Sequence, residues 1–217
     1  MVALLCASGL VTSFRLGWTD GSVLPSGVGY QGGFDAGWEH MLNQPAYFTF
    51  LSALMVCVTS GMLAVRTHRT SVAFQALRLC AVVSVVITGL VFNLLLREED
   101  PLTGVWFYND TVMHIVVPVL APLVWLIVDP RGRLSRRSLT LSTAVPIAWL
   151  IFTLGRGAFL DWYPYDILDV PGMGYAGVGV YIAAILAFYL MLAGLLWALD
   201  WVLGRGRRRR RGPVVGA

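Results

Sequence analysis

His114 is the residue in this chain best suited to chemistry. It lies about one turn inside residues 110–128, an apolar stretch long enough to cross a bilayer. A titratable imidazole at that depth is costly to hold against lipid, so it should face the protein interior. There it is either a functional group or a hydrogen-bonding brace between helices. Asp110 sits four residues earlier and shares its helix face. It is either the carboxylate that orients the imidazole, as in acyl-transfer sites, or a solvated acid favoured by the helix start. Thr49, in Ala46-Tyr-Phe-Thr-Phe-Leu-Ser52, carries a hydroxyl that an adjacent base would make a nucleophile. The competing reading is a threonine bonded to the carbonyl of its own preceding turn.

The elements that must position these groups are membrane helices. The chain has 217 residues, 57% hydrophobic and 13% charged, where a soluble domain carries about 25% charge. Its apolar residues fall in long blocks, and no alternating segments of a β-barrel are visible. The fold expected is all-α: a polytopic bundle of six transmembrane helices over residues 1–204, followed by a basic tail, 205–217. The spans are read at 1–16, 46–65, 72–96, 110–128, 139–154 and 175–203. The first is short, and without a basic start or an Ala-x-Ala site it reads as a helix rather than a signal peptide. Residues 17–44 form a glycine-rich loop whose Trp18, Tyr30 and Trp38 suit the headgroup level. Pro118 and Pro122 should kink the fourth span and free carbonyls that neighbours must satisfy. Arg78, near the start of the third span, is expected to snorkel to the interface. Cys6, Cys57 and Cys80 sit in apolar blocks as inert thiols, with no disulfide or metal pattern.

Thirteen of the sixteen arginines fall in the turns after spans two and four, in Arg78 and in the tail. The positive-inside rule then puts both termini in the cytoplasm of a cell bounded by this membrane. The arginine tail reads as a topology anchor on anionic lipid headgroups rather than a nucleic-acid arm. Spans two, four and six start from the outer face in this topology. Thr49 and His114 then lie roughly 6–7 Å below their helix starts. Asn93 and Arg156 end spans three and five at the same level, and the loop holding Tyr165, Asp166 and Asp169 enters span six there. Polar residues converge on this outer layer, and the inner half of the bundle looks nearly bare of them. The pattern implies a pocket open to the outer face or leaflet.

Tyr-Phe-Thr49 at the head of one span, Met-His114-x3-Pro118-x-Leu in a later one, and Tyr163-Pro-Tyr-Asp-Ile-Leu-Asp169 before the last resemble the androgen-induced-protein family. The resemblance covers about residues 47–180 and the six-span plan. It extends to the bacterial Pr-six-Pr branch of membrane proteins. It implies an integral membrane hydrolase of fatty acid esters of hydroxy fatty acids, with Thr49 as nucleophile and His114 as base. Membrane lipid would be the substrate, with no cofactor. Backbone N–H groups or Asn93 are candidates to stabilise the oxyanion. The reading from another class is a non-enzymatic regulator, scaffold or small transporter, since polar layers also line permeation paths. Two further motifs carry little. Gly172-x-Gly-x-x-Gly177 follows no strand and is no dinucleotide fingerprint. Asn109-Asp-Thr111 is a glycosylation sequon only in a secretory pathway.

Overall fold

A computed structural model describes residues 1–22, 33–97 and 101–210, with side chains through Arg205. Every regular element among the described residues is a helix. In chain order these are α1 (Val2–Thr19), α2 (Trp38–Asn43), α3 (Phe48–Val65), α4 (Val72–Val91), α5 (Gly104–Thr111), α6 (Val117–Val128), α7 (Arg136–Ser142), α8 (Ala144–Leu160) and α9 (Val170–Arg210). π-helical turns over Phe92–Leu96 and Val112–Val116 continue α4 and join α5 to α6. Among the described residues, six stretches are long and apolar enough to cross a membrane: Val2–Thr19, Phe48–Val65, Val72–Leu96, Gly104–Val128, Arg136–Leu160 and Val170–Arg205.

These match the six spans read from hydropathy, with four differences. The fourth span begins at Gly104, six residues before the expected start, so His114 lies ten residues into it and not one turn. The first helix runs on to Thr19. The fifth span is longer than expected and breaks at Thr143, between α7 and α8. The sixth begins at Val170 and breaks at Gly174, whose φ of 67° and ψ of 166° suit only a residue without Cβ. Part of the 17–44 loop folds as α2, and Trp38 meets Trp18 edge-on with centroids 5.1 Å apart. Tyr30, the acids at 98–100 and most of the arginine tail lie outside the described side chains.

The third span is the axis of the bundle. Its small and β-branched residues, including Ala76, Cys80, Ala81, Val82, Val83, Ser84 and Val85, are buried against α3, α6, α7 and α9. Small side chains let helices approach closely where lipid supplies no hydrophobic drive between them. Gly89 marks the tightest approach: a Cβ there would sit 2.5 Å from Pro118 Cβ.

Pro118, Pro122 and Pro146 each free a helical carbonyl, and those freed by Pro118 and Pro146 are taken up by side chains of neighbouring spans. Pro118 has no N–H to offer the carbonyl four residues back, His114 O. Asn93 Nδ2 donates to that oxygen at 2.8 Å from the third span. Pro146 likewise leaves Ser142 O, and Tyr189 Oη donates to it at 2.7 Å from the sixth. A polar side chain thus replaces the helical bond lost at Pro118 and at Pro146 and ties two spans together.

The arginine-rich end is not bare of polar groups. Arg78 does not snorkel; it is 2% exposed. Its Nε and Nη2 donate to Asp129 Oδ2 and Oδ1 at 2.9 and 3.2 Å, and its Nη1 donates to Thr59 and Ser60. The reason is Asp129, which ends α6 one helix away and gives the guanidinium a bidentate partner inside the bundle. Asp200 of α9 accepts three backbone N–H bonds from Gly132, Arg133 and Leu134, pinning the sixth span to the α6–α7 turn. Removing one member of the Arg78–Asp129 pair leaves a buried charge alone. Arg78→Met is expected to lose about 3–5 kcal/mol of stability. Adding Asp129→Leu should recover most of it, as read by thermal unfolding in detergent. An unchanged Arg78→Met melting curve would contradict this account of the pair.

Candidate functional site

Thr49 is the second residue of α3, so its N–H belongs to the first turn and has no helical partner. Tyr165 Oη accepts it at 3.2 Å. The Thr49 hydroxyl does not turn back on its own helix as those of Ser52 and Thr59 do. It meets His114 Nε2 at 3.3 Å and Tyr165 Oη at 3.5 Å. The helices that carry Thr49 and His114 therefore bring the two side chains face to face.

The other imidazole nitrogen is fixed as well. Asp110 Oδ1 lies 2.9 Å from His114 Nδ1, one helical turn away, and Asp110 is buried. Its second oxygen meets Arg97 Nη2 at 3.0 Å. A carboxylate accepts, so Nδ1 carries the hydrogen and Nε2 presents its lone pair to Thr49 Oγ1. Asp110 orients the imidazole and is not a solvated helix-start acid. Phe92 stacks on the imidazole with centroids 3.6 Å apart and planes 6° apart, and the Arg97 guanidinium lies 5.1 Å from the centre of the same phenyl ring. His114 is thus held at both nitrogens and on one face. At 3.3 Å the Thr49–His114 contact is longer than a tight hydrogen bond, which is common in unliganded sites.

Both π-helical turns fall here, one around Phe92 and Asn93 and one around His114. Such turns are frequent at functional sites because the extra residue re-aims the side chains. Pro118, four residues past His114, was the visible sign of the second. No comparable sign announces the first.

Asn93 is not a free donor. One amide hydrogen goes to Gly89 O at 2.7 Å and the other to His114 O, while Oδ1 accepts from Arg97 Nε at 3.0 Å. All the hydrogens it could lend an oxyanion are spent, so it positions His114. Tyr165 Oη, and not Asn93, stands beside the Thr49 hydroxyl. Burial pushes its phenol above the ordinary value, so it stays protonated and keeps a hydrogen to donate beside Thr49 Oγ1.

The remaining expected residues are not part of this cluster. Asp169 caps the start of α9, accepting from Gly172 N at 3.0 Å. Asp166 opens a 3-10 turn and is exposed, while Leu168 of the same turn is buried. Arg156 bonds Asn43 Oδ1 at 2.8 Å and lies over the Trp162 ring. The sequon residue Asn109 spends its amide on Gly9 O, Thr12 Oγ1 and Ser13 Oγ, binding the first span to the fourth.

Thr49 and Tyr165 line one end of a half-open cleft between the third, fifth and sixth spans, with a cavity volume of about 140 Å³. Beyond them the wall is almost wholly apolar: Ile87, Val91, Leu150, Ile182, Ile185 and Leu186 among others, with Tyr189 deepest along α9. It is the apolar lining of the cleft that suits a hydrocarbon chain.

No family model, curated protein or solved structure matches the chain. The geometry stands on its own. It makes one direct claim about protonation. Nitrogen-15 histidine spectra are expected to show His114 protonated at Nδ1 in the native protein. In Asp110→Asn the proton should move to Nε2, as the amide can donate to Nδ1. The same tautomer in both proteins would contradict the assignment.

Proposed function

We propose that this protein is a multi-pass membrane hydrolase of lipid esters, with Thr49 as nucleophile and His114 as base. The observation that carries the reading is the Thr49–His114–Asp110 relay at the polar end of an apolar cleft. The resemblance to the androgen-induced-protein family assigns the same two residues to the same roles.

The chemistry follows from the relay. His114 Nε2 takes the Thr49 proton as Oγ1 bonds to the ester carbonyl carbon. The negative charge moves to the carbonyl oxygen. Tyr165 Oη and the positive end of α3 are the groups nearest that oxygen. The C–O bond to the alcohol breaks, and the alcohol leaves with the proton held by His114. A water then gives its proton to His114 and attacks acyl-threonine, releasing the acid and restoring the hydroxyl. Asp110 faces the imidazolium that forms at each step, and Arg97 holds Asp110 in place.

An apolar cleft suits the acyl chain, and the resemblance points to fatty acid esters of hydroxy fatty acids. The positive-inside rule places the arginine-rich end and both termini in the cytoplasm and the relay near the outer face of the cell membrane. The arginine tail would rest on anionic headgroups. A transporter would need polar groups along the whole path, whereas the cleft walls past Thr49 are almost wholly hydrocarbon.

Purified protein should release fatty acid from such an ester. Thr49→Ala and His114→Ala should each abolish turnover; Thr49→Ala should leave the melting temperature nearly unchanged, and His114→Ala, which removes the imidazole from Asp110 and Phe92, should lower it while the protein stays folded. Tyr165→Phe should retain the relay and lower kcat by about 10²–10³-fold, the effect of losing one oxyanion donor. Equal turnover by native protein and Thr49→Ala would dismiss the mechanism.

A further inference from the structure

A second polar cluster lies on the same wall as the cleft, toward the end that carries Thr49. Trp149, Thr153 and Arg156 are spaced i, i+4, i+7 on α8 and share one face of that helix. Trp149 lines the cleft, its ring packing on Phe48 at 4.8 Å and its Nε1 bonded to Ala46 O. The α8 face that lines the cleft therefore continues into Arg156, at most about 10 Å further along the helix.

Arg156 is half-buried, and among the described residues no carboxylate pairs with it; the three ion pairs all lie elsewhere. Its Nη2 donates to Asn43 Oδ1, its guanidinium lies 4.9 Å from the Trp162 ring, and Phe34 flanks it at 5.8 Å. Among the described residues, three buried polar atoms near it have no partner: Asn43 Nδ2, Trp162 Nε1 and Thr153 Oγ1, on residues 3%, 1% and 4% exposed. Asn43 Nδ2 belongs to the amide that Arg156 holds, and Trp162 Nε1 to the ring beneath the guanidinium. Thr153 is one turn before Arg156 on the same helix. Two of the three atoms can only donate, and the hydroxyl can donate too. A buried donor without an acceptor costs about 1–3 kcal/mol, so three beside an uncompensated cation are a costly arrangement unless an anion completes it.

We infer that Arg156, Asn43, Trp162 and Thr153 form an anion subsite that holds the charged end of a lipid whose chain lies in the cleft beside Thr49. The ligand chemistry is an oxyanion on an acyl chain, either a carboxylate or a phosphate monoester. A guanidinium fork binds both bidentately. The aromatic rings of Tyr47, Trp162 and Tyr165 join the two sites: Tyr47 packs on Trp162 at 5.8 Å and on Tyr165 at 6.0 Å. An anionic end at Arg156 would therefore leave the chain running past Thr49 into the apolar depth. The inference rests on the proposal that the cleft takes an acyl chain, and it does not require that the chain be hydrolysed.

The test is equilibrium binding of radiolabelled oleate, oleoyl lysophosphatidate and methyl oleate to purified full-length protein in a neutral detergent. The native protein and Thr49→Ala should both prefer at least one anionic lipid to methyl oleate by about tenfold or more, the worth of a charged hydrogen bond. The anion with the larger preference identifies the source. Arg156→Gln should lose the preference, and Arg156→Lys should keep part of it. Equal binding of methyl oleate and both anions, or an undiminished preference in Arg156→Gln, would overturn the subsite. The comparison among lipids on Thr49→Ala, which cannot cleave the methyl ester, stands even if an Arg156 variant folds poorly. Absence of binding by all three lipids would overturn the subsite together with the acyl cleft. An intact preference in a protein that hydrolyses nothing would support the subsite and defeat only the hydrolase reading.

Discussion

An imidazole inside an apolar bundle must find all its polar partners within the protein, and the site is built around how His114 does so. Nδ1 is committed to Asp110, Nε2 to Thr49, and the backbone carbonyl to Asn93. Arg97 then ties Asp110 to Asn93, so side chains from the third and fourth spans form one closed network. Hydrogen bonds in such a medium are stronger than in water, and a missing partner is correspondingly costly. The network leaves Nε2 as the exposed lone pair. The hydroxyl that meets it comes from the first turn of another helix. That turn is where unpaired N–H groups and the helix dipole favour developing negative charge.

Proline placement links this chemistry to the fold. Pro118 removes the bond that His114 O would have received, and the π-helical turn before it re-aims the imidazole. The loss is made good by Asn93, which can reach because Gly89 lets Pro118 come against α4. Pro146 and Tyr189 repeat the device lower in the bundle, where Tyr189 also closes the deep part of the cleft. The residues that repair the helices are thus the ones that shape the site and its pocket.

The six spans were legible because blocks of about twenty apolar residues have few alternatives in a chain so poor in charge. Thr49 and His114 do meet, but not because they lie equally far from their helix starts: Thr49 is the second residue of its span and His114 the eleventh of its own. The facing of their side chains was not legible, because rotation about each helix depends on packing and on π turns that hydropathy does not register. Asn93 was misjudged for a related reason: its amide looked free until the proline-freed carbonyl opposite was counted against it. Arg78 was misjudged because Asp129, 51 residues away, is invisible to a rule about helix ends. Arg156 stood at the correct level, but its partners come from the segments around Asn43 and Trp162, which sequence spacing does not bring together.

The central claim is that the Thr49 oxygen, activated by His114, takes the acyl group. The most direct measurement is peptide mass spectrometry of purified protein quenched in acid after brief exposure to an activated long-chain ester. An acyl adduct on the peptide containing Thr49, absent from His114→Ala under the same conditions, is the expected result. An adduct confined to other residues, or one of equal yield without His114, would contradict the account.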